Sequence, residues 1–238
     1  NYINNSIEKT IIGIPNEFIT NLDDNIKNNL YQALNIFKNL KTIIKYITLP
    51  NIKLSIPAYY IIAPAECSSN LSKYDGIRFG YKYENSLNIK DLYSKSRSEG
   101  FGEEVIRRIM IGTYVLSSSY YNEYYIKAQK IRAIIRNDYI NAFKKVNVIL
   151  GPTTPTNAFK INSKKISPTE MYKSDIYTCS VNLAGLPAIS IPTGLINNLP
   201  VGLQIIGNFF KENEILNLAH QYQLNTIWHK ISPPQFIN

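Results

Sequence analysis

The residues of this sequence that could carry out chemistry do not form a self-sufficient active site. Ser117, Ser118 and Ser119 make a run of hydroxyl side chains, but a serine needs an adjacent base before it becomes nucleophilic. The sequence contains no Gly-x-Ser-x-Gly elbow, no phosphate-binding loop and no dinucleotide-binding fingerprint. We therefore interpret the three serines as capping and packing residues at the end of a helix.

Cysteine and histidine are too sparse to predict a metal site. Cys67 and Cys179 are far apart in the sequence, which fits neither a disulfide framework nor the spacing of zinc ligands. His220 and His229 lie near the end of the chain without cysteine or carboxylate support. We predict no metal site, with His220 on the flank of a helix and His229 on the surface.

The first part of the chain has the pattern of a β-strand, a helix and a second strand. Thr10–Pro15 is a short apolar run that ends in proline, and Thr42–Leu49 is rich in β-branched residues. Between them, Asn21–Leu40 places its apolar residues at helical spacing. This order predicts a βαβ unit whose strands are parallel.

The rest of the chain is predicted to be mostly helical in the middle and to alternate strands with helices towards the end. The predicted helices are Pro57–Leu71 with a break near Pro64, Glu103–Leu116, Tyr120–Val146, Asp175–Ala184 and Glu212–Tyr222. The predicted strands are Val146–Leu150, Ala188–Pro192 and Val201–Ile206, the last two joined by a turn at Asn197-Asn198. Such alternation indicates an α/β fold around a mostly parallel or mixed sheet.

Composition favours one folded unit over residues 1–238 and excludes a disordered tail. The 238 residues are 45% hydrophobic and 18% charged, which is enough to build a core. No apolar run reaches the length of a membrane span, so we expect no membrane association. The net charge is +9, but the lysines are dispersed, as the composition bias of an A/T-rich genome would produce.

Four long stretches of the sequence stand out, namely Ile56–Gly80, Ser96–Ser118, Gly151–Phe159 and Val181–Gly207. They resemble the amidase-signature family, and within it the glutamine-hydrolysing subunits of glutamyl-tRNA(Gln) amidotransferases. The resemblance implies a mixed, largely parallel β-sheet flanked by helices on both faces. It also implies that the chain is the carboxy-terminal half of a longer domain.

The catalytic residues of that family lie outside this chain. Family members use a lysine and two serines in a Gly/Ser-rich signature of the amino-terminal half, where the nucleophilic serine attacks a glutamine side-chain amide and releases ammonia. The sequence begins after that signature, so the resemblance implies no catalytic residue here and a chain that is inactive by itself.

The resemblance does assign a glutamine clamp to this half. Its members are the second arginine of Arg107-Arg108-Ile109, an aspartate after Met171-Tyr172 and the first tyrosine of Tyr59-Tyr60, which gives Arg108, Asp175 and Tyr59. Arginine suits an α-carboxylate because its planar fork donates two parallel hydrogen bonds, and aspartate suits an α-ammonium group.

Each member of the glutamine clamp has an alternative interpretation. Arg107 could point inwards in place of Arg108, and Tyr60 could face the pocket in place of Tyr59. Asp175 could simply be a residue at the start of a helix, where the helix dipole favours a negative charge.

The function implied by the resemblance is supply of ammonia for converting Glu-tRNA(Gln) to Gln-tRNA(Gln). The amidotransferase subunits B and C would be the partners. ATP and Mg²⁺ would bind to the first of these two partners, so we expect no cofactor on this chain. The expected location is a plastid-like organelle or a mitochondrion, or alternatively the cytoplasm of a bacterium. Two other functions stay open, a stand-alone amidase-signature hydrolase and a basic RNA-binding module without enzymatic activity.

Overall fold

The structure is a computed structural model that describes residues 3–20, 22–159 and 172–233. The chain divides into two compact units. Residues 1–56 and 133–238 form one, here called the sheet unit, and residues 57–132 form the other, the helical unit. We predict that residues 1–238 are part of one longer domain. A division of this part into two compact units does not test that prediction, which stays a prediction.

The described residues form five strands, eight α-helices and several shorter turns. The strands are β1 Ile11–Pro15, β2 Ile43–Ile47, β3 Val148–Pro152, β4 Ala188–Ile196 and β5 Leu199–Gly207. The helices are α1 Asn16–Ile19, α2 Asp24–Asn39, α3 Ser55–Asn70, α4 Ile89–Gly100, α5 Glu103–Val115, α6 Lys127–Phe143, α7 Cys179–Ala184 and α8 Glu212–Leu224. Tyr121–Ile126 is a π-helix, and Ile52–Leu54, Leu71–Lys73 and Trp228–Lys230 are 3₁₀ turns.

The five strands form one mixed sheet in the order β2-β1-β3-β5-β4. Strand β1 is parallel to both β2 and β3, whereas β5 is antiparallel to both β3 and β4. Four strands therefore run in one direction and β5 opposes them. The prediction of an α/β fold with a mixed, largely parallel sheet is confirmed, as is the parallel βαβ unit formed by β1, α2 and β2.

The centre of the sheet is covered on both faces. All five residues of β3 are buried, and neighbouring residues of a strand point to opposite faces. Helices α2 and α8 both pack against β4 and β5. Strand β3 continues through Gly151 and Pro152, which the sequence had assigned to a loop.

The β4–β5 hairpin has the turn that the sequence predicted. Asn197 and Asn198 both adopt the left-handed conformation, with φ of 52° and 62°, and asparagine tolerates this region better than most residues. On β4, Thr193 Oγ1 donates a hydrogen bond to Asn29 Oδ1 of α2 at 2.7 Å. This buried contact fixes α2 to the edge of the sheet.

In the helical unit, α3 runs without interruption through Pro64, so the predicted break is wrong. Proline removes one backbone hydrogen bond, but its fixed φ is itself helical. Helix α5 lies directly against this turn at Gly112. A Cβ atom on Gly112 would lie 1.9 Å from the Pro64 carbonyl oxygen, so only glycine allows the two helices to approach this closely.

One helix was not predicted, and two others begin later than predicted. Helix α4 was not predicted, and its N-cap is Asn88, whose side chain accepts from the Asp91 amide at 2.9 Å. The helix predicted from Tyr120 starts as the π-helix, with regular α-helix only from Lys127. The helix predicted from Asp175 begins at Cys179. None of the helices in the described ranges combines the length and apolar character needed to cross a membrane.

Candidate functional site

Arg108 lies on α5 and is held by a carboxylate one turn earlier. Its Nε donates a hydrogen bond to Glu104 Oε1 at 3.0 Å, and its side chain is 30% exposed. The sequence places Glu104 four residues before Arg108, which is the spacing that brings two side chains onto one helix face. The guanidinium is therefore partly sheltered and yet reachable from solvent.

Two tyrosines of α3 complete the surroundings of Arg108. The guanidinium carbon lies 5.7 Å from the ring centroid of Tyr60, within the usual range of a cation–π contact. The phenol of Tyr59 also interacts with the guanidinium. The two rings pack edge to face, with centroids 5.0 Å apart and planes at 87°. Both tyrosines thus contact Arg108, so the choice between Tyr59 and Tyr60 as the ligand-facing residue stays open.

The electrostatics of this group favour a permanently charged guanidinium. Burial acts to lower the pKa of Arg108, but hydrogen bonds with Glu104 and Tyr59 act in the opposite direction and raise the pKa above its ordinary value. A fixed positive charge with free N–H donors can bind a carboxylate in a planar, two-bond geometry. The helical unit therefore contains an arrangement suited to a carboxylate ligand.

Arg107, the alternative to Arg108, is engaged differently. It donates to Glu103 Oε1 at 3.3 Å and also contacts Glu104. Its side chain is 39% exposed, and the Glu103 side chain is 93% exposed. Arg107 therefore belongs to an open surface network, whereas Arg108 also packs on aromatic rings.

Arg108 and Tyr59 interact within the helical unit, whereas Asp175 belongs to the sheet unit and is described by itself. The carbonyl of Asp175 accepts hydrogen bonds from the Thr178 and Cys179 amides at 3.1 and 3.0 Å. Because α7 begins only at Cys179, Asp175 is not a first-turn residue of that helix. Part of its sequence motif, Met171, lies outside the described residues.

The segment that follows Asp175 is fastened to the sheet. The carbonyl of Tyr177 accepts a hydrogen bond from Gln204 Nε2 of β5 at 3.0 Å. The Tyr177 ring meets Phe18 edge to face, with centroids 5.3 Å apart. The backbone around Asp175 is thus placed by contacts that are independent of its carboxylate.

Ser117, the first residue of the serine run, has the capping role at a helix end that the sequence suggested. Ser117 Oγ donates to the Tyr114 carbonyl at 2.7 Å, just after the end of α5. Tyr114 stacks on Tyr120 with ring centroids 4.4 Å apart. A hydrogen bond with Tyr120 raises the pKa of Tyr114 to about 12. In the described part of the chain, no three His, Cys, Asp or Glu residues cluster as metal ligands.

Glu104 is the contributor to this site that sequence reasoning missed. The available signal was its spacing of four residues from Arg108. That spacing is common on exposed helix faces, where it marks an ordinary ion pair.

Comparison with known proteins identifies the relatives of this chain. The family model described as "Amidase" matches residues 3–216. The chain is 54% identical over 235 residues to the A subunit of glutamyl-tRNA(Gln) amidotransferase from Ruthia magnifica subsp. Calyptogena magnifica, covering 98% of this chain and 49% of the relative. It is 55% identical over 234 residues to the protein of that name from Vesicomyosocius okutanii subsp. Calyptogena okutanii, with 98% and 48% covered. The chain thus spans about half the length of the curated relatives it matches.

Solved structures agree with this result. The crystal structure of the glutamyl-tRNA(Gln) amidotransferase A subunit from Thermotoga maritima matches with a TM-score of 0.70 and 34% identity, covering 95% of this chain and 44% of that one. A bacterial aryl acylamidase of the amidase-signature family matches with a TM-score of 0.70 at 18% identity, covering 96% and 46%. At that identity the second match shows a shared fold only.

Proposed function

This chain belongs to the amidase family, and we propose that it is part of the glutamine-hydrolysing subunit of a glutamyl-tRNA(Gln) amidotransferase. The observation that carries the proposal is identity above 50% to the A subunits of such enzymes over 98% of the chain. The complete protein would hydrolyse glutamine and supply ammonia for the conversion of Glu-tRNA(Gln) to Gln-tRNA(Gln). The lysine and the two serines that cleave the amide would lie outside this chain.

The role of this chain is to hold the free amino acid by the groups that distinguish it from a plain amide. Arg108 would bind the α-carboxylate through its N–H donors, and Asp175 would bind the α-ammonium group. Tyr59 would border the same ligand. The supporting geometry is the partly sheltered guanidinium of Arg108 between Glu104 and the α3 tyrosines.

The proposed partners are the amidotransferase subunits B and C. ATP and Mg²⁺ would be used by the first of these, which activates the glutamyl group on the tRNA. The proposed location is a plastid-like organelle or a mitochondrion, which rests on the composition bias of an A/T-rich genome. The bacterial relatives equally fit the alternative, the cytoplasm of a bacterium. Fractionation of the source cells, followed by immunodetection of the protein, separates these locations.

Replacing Arg108 by alanine in the complete protein, assembled with its partners, tests the glutamine clamp. Two charge-assisted hydrogen bonds contribute about 3 kcal/mol together at the low end of their range. We therefore expect the KM for glutamine to rise by about 100-fold. The kcat should change little, because binding that is equal in the ground state and the transition state is lost from KM alone.

Arg107→Ala is the matched control for Arg108→Ala, because it removes the same charge from the neighbouring position of the same helix. We expect a glutamine KM within about twofold of the unsubstituted protein, since surface ion pairs contribute little. An equal rise in KM for both variants would mean that the charge of the helix matters and that Arg108 is not a specific ligand.

Asp175→Asn separates the proposed function from that of a hydrolase of simple amides. A plain amide has no α-ammonium group, so its hydrolysis should not depend on the Asp175 carboxylate. We expect a raised KM for glutamine and unchanged hydrolysis of a simple amide. Equal losses on both substrates would contradict the assignment of Asp175 to the ammonium group.

A further inference from the structure

The contact between Glu104 and Arg108 decides which binding mode the guanidinium can offer to a carboxylate. A carboxylate can bind arginine side-on, through Nε and one terminal nitrogen, or end-on, through both terminal nitrogens. In this structure Nε already donates to Glu104 Oε1 at 3.0 Å. A carboxylate therefore cannot use the side-on mode through Nε, and only the N–H groups of the two terminal nitrogens, one of which also meets the Tyr59 phenol, are left for end-on binding.

We propose that Glu104 is a positioning residue, which orients Arg108 so that the α-carboxylate of the amino-acid substrate docks end-on. This inference rests on the proposed function of Arg108 as the carboxylate ligand. Glu104 acts through Arg108 and does not touch the substrate itself.

The surroundings of Arg108 support an orienting role because they restrain a side chain that is otherwise flexible. Glu104 holds the Nε edge, and the Tyr60 ring lies 5.7 Å from the guanidinium carbon. The phenol of Tyr59 supplies a further contact. A guanidinium held in one orientation before binding loses less conformational freedom when the ligand arrives.

The neighbouring acidic residue shows why Glu104 differs from an ordinary helix-surface carboxylate. The Glu103 side chain is 93% exposed. Among the ion pairs of the described residues, its one partner is Arg107, at 3.3 Å. Glu104 contacts both Arg107 and Arg108. The two glutamates are adjacent and alike in charge, so they form a matched pair for substitution.

The test is the glutamine kinetics of Glu104→Gln and Glu103→Gln in the complete protein assembled with its partners. A glutamine side chain is close to a glutamate side chain in size, so each substitution removes the negative charge without opening a cavity. We expect Glu104→Gln to raise the KM for glutamine by about tenfold, which is the loss of one charge-assisted interaction. We expect kcat to stay within about twofold and Glu103→Gln to leave both constants unchanged.

A double substitution tests whether Glu104 acts through Arg108. The Arg108→Ala variant lacks the side chain that Glu104 would orient, so adding Glu104→Gln to it should not raise the KM for glutamine further. Independent effects would instead add. Additive effects would overturn the positioning role, because Glu104 would then contribute to binding without Arg108.

The remaining outcomes distinguish this inference from the proposed function. If Arg108→Ala raises KM while Glu104→Gln behaves like Glu103→Gln, the positioning role is wrong and the glutamine clamp survives. If Arg108→Ala leaves KM unchanged, both are wrong. A lower melting temperature with unchanged KM in Glu104→Gln would show a purely structural ion pair and would also overturn the positioning role.

Discussion

Gly112 allows the backbones of α3 and α5 to touch, and filling this contact should disturb both stability and the site. In Gly112→Ala, the new Cβ would lie 1.9 Å from the carbonyl oxygen of Pro64 and 2.6 Å from its carbon, whereas ordinary van der Waals contact starts at 3.4 Å. The two helices must therefore separate by about 1.5 Å, the difference between 3.4 and 1.9 Å. Because the atoms of Pro64 belong to the backbone, no side-chain rotation can relieve the clash.

Two opposing effects set the size of the change. Alanine favours a helix interior over glycine by about 1 kcal/mol, whereas overpacking a tight contact costs about 3 kcal/mol or more. We expect a net loss of about 2 kcal/mol, which lowers the melting temperature by about 4–8 °C for a chain of about 150–250 residues and by about half of that for the complete protein. Separation of α3 and α5 would also move Arg108 away from Tyr60, whose 5.7 Å separation is already near the limit of a cation–π contact.

Calorimetry of the complete protein and glutamine kinetics of the assembled complex measure the two effects. Gly102→Ala is the control, because a Cβ at that position, just before α5, meets nothing within 4 Å. We expect it to lower stability by less than about 1 kcal/mol and to leave the KM for glutamine unchanged. A Gly112→Ala protein that melts at the temperature of the unsubstituted protein would refute the reasoning.

Two buried tyrosine hydroxyls should respond differently to removal. The hydroxyls of Tyr139 and Ser180 form a buried hydrogen bond of 2.8 Å, so Tyr139→Phe should cost about 1–3 kcal/mol in urea denaturation because Ser180 loses its partner. The Tyr222 hydroxyl is buried without a hydrogen-bond partner among the described residues, so Tyr222→Phe should be neutral or stabilising in the same assay. Burial raises the pKa of Tyr222 from 10.0 to about 12. The free energy of unfolding should therefore keep its full value below pH 10 and fall as the pH rises towards 12, because Tyr222 ionises more readily in the unfolded chain than in the folded one. Denaturation midpoints measured across that range should fall less steeply in Tyr222→Phe; equal slopes would contradict the shift.

The parts of the fold that the sequence predicted are those with a strong local signal. The βαβ unit follows from short apolar runs around a helix with regular apolar spacing, and the hairpin follows from Asn197-Asn198. Helix α4 gives no such signal, because Ser96 is its one fully buried residue and no apolar stripe marks its face. The continuity of α3 through Pro64 depends on close packing with α5, which a local pattern does not contain.

The site shows the same division between motif and packing. Sequence resemblance singled out Arg108 and Tyr59, and the structure brings them into contact. Glu104 escaped attention because a carboxylate four residues before an arginine looks the same whether it stabilises a helix or orients a ligand. The roles of Arg108, Asp175 and Tyr59 in binding glutamine stay predictions until the kinetics are measured.

The pairing of β1 with β3 has a consequence for how the protein is made. Ile12 pairs with Val148, so 136 residues, the difference between these numbers, must be synthesised before the inner edge of β1 is covered. At about 5–20 residues per second this takes roughly 7–27 s. During that time a hydrophobic strand destined for the core has an unpaired edge, which is a template for aggregation. We therefore expect the nascent chain to depend on chaperones until β3 leaves the ribosome.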